Sequence, residues 1–152
     1  MYIMKSFLGE LQDGQGKATR DEKKVRMMNP LTLAYMGDAV YEAYIRKYLI
    51  EDCDLLVRDL HRRAICFVRA KAQAEIVHDL MEELTQEEWE IVKRGRNQKS
   101  ATIPKNAQII DYKYATGFEA LLGYLFLLGR LERLITIMDK SVKIIINKDK
   151  LD

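Results

Sequence analysis

The pattern of hydrophobic and polar positions predicts a chain built around two buried helices. Leu31–Ile50 is apolar on nearly every side of a helix, as expected of a segment in a core or an interface. Asn29 and Pro30 precede it, and asparagine as cap with proline at the first helical position is a common helix start. Ala115–Leu128 is a second apolar run, long enough for a buried helix and too short to span a membrane.

Amphipathic segments account for most of the remaining chain. Leu55–Leu80 repeats apolar residues at helical spacing and predicts one long helix or two joined ones. Its opposite face is basic, with Arg58, Arg62, Arg63, Arg69 and Lys71. Arg130–Lys148 predicts a final amphipathic helix. With only two prolines in 152 residues, the sequence predicts an all-α fold with a single domain.

The first 28 residues are predicted to be an N-terminal extension or linker, and residues 29–148 the folded domain. Within the extension, Asp13–Lys24 is polar and contains glycine, which is typical of a loop.

A single carboxylate lies near the centre of each apolar segment. Asp38 follows Gly37, and Glu119 is the one charged residue between Ala115 and Leu128. Glycine inside a helix costs roughly 1 kcal/mol, so a close packing contact is a common reason for its presence. Helices that cross at their glycines would bring Asp38 and Glu119 together, and facing carboxylates suit a hard cation such as Mg²⁺. The alternative is that Asp38 faces solvent or pairs with an arginine.

Two further carboxylates are candidates with open roles. Glu42 follows Asp38 by four residues and shares its helix face. Glu75 lies among small and apolar residues in the second half of Leu55–Leu80. It is either part of a cation site or a surface residue that pairs with Lys71 at four-residue spacing.

The most basic stretch of the sequence, Lys93–Lys105, mixes cations with small polar donors, a composition that suits phosphate and ribose contacts. Its candidate contact residues are Arg94, Arg96, Asn97, Lys99 and Lys105. The alternative is a charged loop exposed to solvent.

The charge and the cysteines of the sequence indicate neither a binding partner nor a metal site. The net charge of +2 is too small to imply a partner. No secretory signal or membrane-spanning run is evident, and Cys53 and Cys66 lack metal-like spacing with His61 or His78. These features predict reduced thiols and a cytoplasmic protein with no membrane association.

Four motifs appear in the order of the ribonuclease III catalytic domain, and residues 29–134 resemble that family. They read LAYMGDAVYEAYIRKYL, VRAKAQAEI, KRGRNQKSATIPKNA and YATGFEALLGYLFL. The likeness is strongest to the Mini-ribonuclease III group, short bacterial forms without a separate double-stranded-RNA-binding domain. The resemblance implies a helical homodimer that hydrolyses phosphodiester bonds in double-stranded RNA with Mg²⁺, or with Mn²⁺ as a substitute, and leaves 5′-phosphate ends. It also implies maturation of the ends of large-subunit (23S) ribosomal RNA precursors, with ribosomal proteins as further partners.

The motifs assign roles to individual residues. Asp38 matches the aspartate of the signature helix and Glu119 the glutamate of the C-terminal motif, so both are expected to be catalytic and to hold metal. Glu75 matches an acidic residue of the middle helix and is a third metal candidate. The basic stretch would contact the RNA backbone, because A-form RNA is recognised mainly by shape.

The sequence departs from the larger enzymes of the family at three positions. Leu31, Ala34 and Thr116 stand where those enzymes have acids. The loss motivates an alternative, a catalytically silent protein that binds RNA or assists ribosome assembly, whereas retention of Asp38 and Glu119 favours an enzyme. A helical adaptor for other proteins would leave the central carboxylates unexplained.

The apolarity of Leu31–Ile50 on all sides also predicts a two-fold dimer built partly on this helix. Tyr41, Tyr44 and Tyr48 are the candidate contacts.

Overall fold

The structure, a computed structural model, describes residues 19–99 and 108–149. Over these residues it contains α-helices and one short 3₁₀ turn, Met81–Glu83, and no strand. The helices are α1 (Thr19–Arg26), α2 (Pro30–Asp52), α3 (Val57–Val68), α4 (Ala70–Leu80), α5 (Gln86–Arg96), α6 (Ile109–Leu127) and α7 (Leu131–Asp149). The prediction of an all-α fold is confirmed.

Helix α6 lies at the centre and packs most extensively against α2, then against α5 and α4. Helix α2 begins as predicted, with Pro30 in the first turn and the backbone N–H of Leu31 donating to Asn29 Oδ1 over 2.9 Å. Neither helix, nor any other in the described part of the chain, is long and apolar enough to span a membrane.

Helices α2 and α6 cross backbone to backbone. A Cβ atom added to Gly37 would lie 1.7 Å from the carbonyl oxygen of Glu119, and one added to Gly123 would lie 1.8 Å from that of Leu33. Only glycine fits at such distances, so the predicted crossing at the glycines is confirmed.

Gly117, on the same helix as Gly123, lies at a different helix crossing. A Cβ atom on Gly117 would lie 2.6 Å from the carbonyl oxygen of Val92, and one on Gly95 would lie 2.8 Å from Gly117 Cα. Gly117 therefore allows α5, not α2, to approach α6.

The chain N-terminal to α2 differs from its prediction. Residues 19–24 were expected in a loop but belong to α1, where Val25 is buried and Arg26 forms a 3.0 Å ion pair with Glu87 of α5. Packing against later elements stabilises a helix too short to persist alone. Residues 1–18 lie outside the described part of the chain.

Leu55–Leu80 forms two helices. The backbone is extended at Arg69, which ends α3 and begins α4.

Candidate active site

Asp38 and Glu119 are brought together where α2 crosses α6. The backbone of Glu119 touches Gly37, the residue before Asp38. Asp38 is exposed at the edge of the crossing, whereas Glu119 lies partly buried beneath it. Asp38 is exposed and forms no ion pair with arginine among the described residues, so the arginine alternative is wrong, whereas its exposure fits both solvent contact and a cation site.

The electrostatics of the pair favour loss of negative charge. Burial, the charge of Asp38 and the charge of Glu42 raise the pKa of Glu119 to about 7, against the hydrogen bond from Gln73 that lowers it. Partial burial and the charge of Glu42 raise the pKa of Asp38. Two close carboxylates with raised pKa values mark a site that lacks a positive charge.

Gln73 is the residue of this site that sequence reasoning missed. Its side chain is 1% exposed, and its Nε2 donates to the carbonyl oxygen of Val68 over 2.9 Å and to Glu119 Oε1 over 3.1 Å. The available signal was a polar residue in the buried stripe of α4, three residues before Ile76 and four before Val77.

Glu42 and Glu75 differ in their relation to the acid pair. Glu42 forms a 3.2 Å ion pair with Arg46 one turn along α2, and its charge still reaches both Asp38 and Glu119. Glu75 is partly buried on α4. The described residues contain no group of three or more histidine, cysteine or acidic side chains that could hold a metal ion, so Glu75 does not join the pair in such a cluster.

The positions where the larger enzymes have acids contain apolar or hydroxyl side chains. Ala34 is buried, and the Thr116 hydroxyl donates to the carbonyl oxygen of Tyr112 over 3.0 Å. Leu31 and Thr116 line a cavity of about 360 Å³, and Asn97 and Lys99 form part of its wall. Thr116 is one turn from Glu119 along α6, but neither Asp38 nor Glu119 lines this cavity.

The predicted RNA contacts fall into two sets. Asn97 and Lys99 are exposed. Arg94 instead donates to the backbone carbonyls of Arg26 and Met28, over 2.8 and 3.1 Å, and so holds the connection from α1 to α2. Lys105 lies outside the described residues.

Arg96, also predicted to contact RNA, is stacked on aromatic rings. Its guanidinium lies 5.8 Å from the ring centre of Trp89 and 5.6 Å from that of Tyr114, and its Nε donates to Asn97 Oδ1 over 3.1 Å. Cation–π contact and the hydrogen bond restrict its orientation.

The tyrosines expected at a dimer interface make their contacts within the chain. Tyr41 is buried, and its hydroxyl donates to the carbonyl oxygen of Phe67 over 3.2 Å, so the prediction is wrong for this residue. Tyr44 donates to Asp139, and Tyr48 packs edge-on against Phe67. The aromatic side chain that α2 exposes is Tyr35, which is 84% exposed.

Comparison with known proteins agrees with the fold. The Ribonuclease III domain family matches residues 31–130. Mini-ribonuclease 3 of Thermoanaerobacter sp. (strain X514) is 45% identical over 93% of this chain and 97% of its own length, and that of Clostridium tetani is 48% identical over 95% and 89%. A crystal structure of a protein from Fusobacterium nucleatum superposes with a TM-score of 0.72 at 32% identity, covering 79% of this chain and 96% of that one. The chain therefore belongs to the ribonuclease III domain family.

Proposed function

We propose that this enzyme, an endoribonuclease specific for double-stranded RNA, holds Mg²⁺ between Asp38 and Glu119, and that Mn²⁺ can replace it. The supporting observation is the glycine crossing of α2 and α6, which brings two carboxylates together with no arginine or lysine among the causes of their pKa shifts. Carboxylates are the ligands that Mg²⁺ prefers, so the donor set fits the ion.

Glu119 and Asp38 would have different roles because they differ in burial. Glu119 is partly buried and accepts a hydrogen bond from Gln73, which suits a fixed ligand, whereas Asp38 is exposed and would be accessible to an incoming phosphate. A bound Mg²⁺ lowers the pKa of water and offsets charge that develops on the phosphate during in-line attack. Because the pair supplies two acids, water and phosphate oxygens would have to supply the remaining ligands of the ion. Glu75 is proposed as an outer contributor and not as a member of the pair.

We propose that the RNA backbone runs along the cavity whose wall includes Thr116, one turn from Glu119 on α6. Asn97 and Lys99 on its wall offer an amide and a cation to phosphate or ribose oxygens, and Arg96 lies next to Asn97. A duplex has two antiparallel strands, so a two-fold homodimer would present one acid pair to each strand. Tyr35 is the proposed dimer contact, because it is the large exposed side chain of α2 nearest to Asp38.

For the biological substrate we propose precursors of 23S ribosomal RNA, trimmed at their ends in association with ribosomal proteins. Support comes from the similarity to Mini-ribonuclease 3 chains along nearly the whole sequence.

A cleavage assay on purified protein tests the proposal. Duplex RNA should be cut in the presence of Mg²⁺ or Mn²⁺ and left intact with a chelator, and single-stranded RNA and duplex DNA should stay intact throughout. Binding of duplex RNA without cleavage in either metal would instead identify the catalytically silent RNA-binding protein. An RNA precursor carrying a 23S end, compared with an unrelated duplex of equal length, tests the substrate.

A further inference from the structure

The Gln73 carboxamide has a fixed orientation. The two groups within reach of its nitrogen, the Val68 carbonyl oxygen and Glu119 Oε1, are hydrogen-bond acceptors. An amide nitrogen can donate to both, and an amide oxygen could donate to neither. The oxygen, Oε1, must therefore point away from these two acceptors.

Gln73 Oε1 is buried and receives no hydrogen bond from any residue that the structure describes. Buried acceptors in folded proteins nearly always have a donor. An acceptor without one, on the same carboxamide that touches Glu119, indicates a donor that the described residues do not supply.

Packing does not explain a glutamine at this position. Its neighbours along α4, Ala72, Ala74, Ile76 and Val77, are all buried and apolar. Leucine or methionine would fill similar volume, but would remove the hydrogen bonds to the Val68 carbonyl and to Glu119 Oε1. The polar group therefore serves those two acceptors, one of which is the Glu119 carboxylate.

We propose that Gln73 is the positioning residue of the cation site. Its Nε2 holds the Glu119 carboxylate in place, and its Oε1 accepts a hydrogen bond from a water molecule that accompanies the cation. The inference rests on the proposed function, since it requires a divalent cation at Glu119.

The neutral charge of glutamine suits this role. Asp38, Glu119 and Glu42 already repel one another, as the raised pKa values of the first two show. A carboxamide orients a carboxylate and accepts from water without adding a further negative charge to the cation-free protein.

Substitution of Gln73 by leucine and by methionine tests the inference, with Ser141→Ala as the matched control. Ser141 is also a buried polar residue, but its hydroxyl donates to the Ile137 carbonyl within α7.

Mn²⁺ binding to the RNA-free protein is followed by electron paramagnetic resonance, and duplex cleavage is followed against Mg²⁺ concentration. Both Gln73 variants should bind Mn²⁺ about 10–100-fold more weakly. Their half-saturating Mg²⁺ concentration should rise in parallel, and cleavage should recover toward the wild-type rate at high Mg²⁺. Ser141→Ala should leave both metal measurements unchanged.

The outcomes separate the two proposals. A wild-type protein that neither binds Mn²⁺ nor cuts duplex RNA would contradict the proposed function itself. If the wild type binds and cuts while the Gln73 variants match it in Mn²⁺ affinity and Mg²⁺ dependence, only the role of Gln73 is overturned. Failure of both variants to fold, seen by circular dichroism, would make Gln73 a structural residue and would also overturn that role.

Discussion

Asp38 and Glu119 show that two acids in one site need not be equivalent. Asp38 is solvent-exposed, whereas Glu119 is partly buried and hydrogen-bonded to Gln73. The difference in burial makes Glu119 the group that depends more on a compensating charge, as its pKa of about 7 indicates.

Asp38→Asn and Glu119→Gln should each remove most duplex cleavage while leaving duplex binding intact. Each change keeps the side-chain size and removes one ligand charge, so several kcal/mol of transition-state stabilisation are lost, on the order of a thousandfold in rate. Cleavage at saturating Mg²⁺ and binding by filter retention are measured on the same preparations. Glu132→Gln, an exposed change on α7, is the control. Wild-type cleavage by both variants would place the chemistry elsewhere.

The raised pKa of Glu119 also predicts how stability depends on pH in the metal-free protein. An acid with a higher pKa in the folded than in the unfolded chain holds its proton more tightly when folded. The free energy of unfolding should therefore fall as pH rises from about 4.5 to about 7, by an amount on the order of 3 kcal/mol from this group, and then level off.

The Glu119→Gln protein should not show this fall in the free energy of unfolding with pH. It should therefore be more stable than the wild type above neutral pH. Urea unfolding with a chelator at about pH 5 and about pH 8 measures the effect, because stability tracks the difference in bound protons. Identical pH dependence in the two proteins would contradict the assigned environment of Glu119.

Between elements, the crossing of α2 and α6 was predictable in outline because two independent signals agreed. Apolar sequence indicated that both helices pack in the core, although α2 buries only one face, and the glycines near the carboxylates indicated where the helices approach each other. The helix that packs against Gly117 was not predictable, because a glycine in a helix indicates that some neighbour is close but not which one. Val92 of α5 is that neighbour.

Other contacts depend on residues distant in sequence and were not predictable. Nothing local distinguishes Arg94, which binds backbone carbonyls near α1, from Lys99, which is exposed. The contacts of the tyrosines of α2 were likewise not evident from the local sequence. Apolarity on every side showed that much of α2 is covered, but the covering surface at Tyr41 is the chain's own Phe67 and Phe118.

Gly37→Ala should destabilise the protein and impair the site together. The added methyl group would overlap the Glu119 carbonyl, so α2 and α6 must separate, at a cost of about 3 kcal/mol or more. Urea unfolding and duplex cleavage provide the two readouts. Ala39→Ser, an exposed change two residues away, should stay within about 0.5 kcal/mol of the wild type. A Gly37→Ala protein of unchanged stability would show that the helices do not approach this closely.

At the scale of the whole molecule, the single chain leaves a large aromatic side chain uncovered on the helix of the acid pair's Asp38. Tyr35 is 84% exposed on the helix that carries Asp38. A second copy that covers Tyr35 would place two acid pairs in a symmetric arrangement matched to a duplex.

The wild type should therefore be a dimer in solution, and Tyr35→Glu should shift it toward monomer, because a charge would be buried at the contact. Light scattering at micromolar concentration measures the mass, and Tyr35→Phe, which keeps the ring, should stay dimeric. Cleavage should fall with the dimer fraction. A Tyr35→Glu protein that stays fully dimeric would move the interface to another surface.

The contact between α2 and α6 also determines when a newly made chain can become a nuclease. Asp38 and Glu119 are separated by more than half the length of the sequence, so a nascent chain has only half of the acid pair until α6 has left the ribosome. At roughly 5–20 residues per second, synthesis of the intervening segment takes on the order of ten seconds. With the catalytic roles proposed for Asp38 and Glu119, the growing chain would be unable to cut during that interval, when it is surrounded by the ribosomal RNA of the particle that makes it.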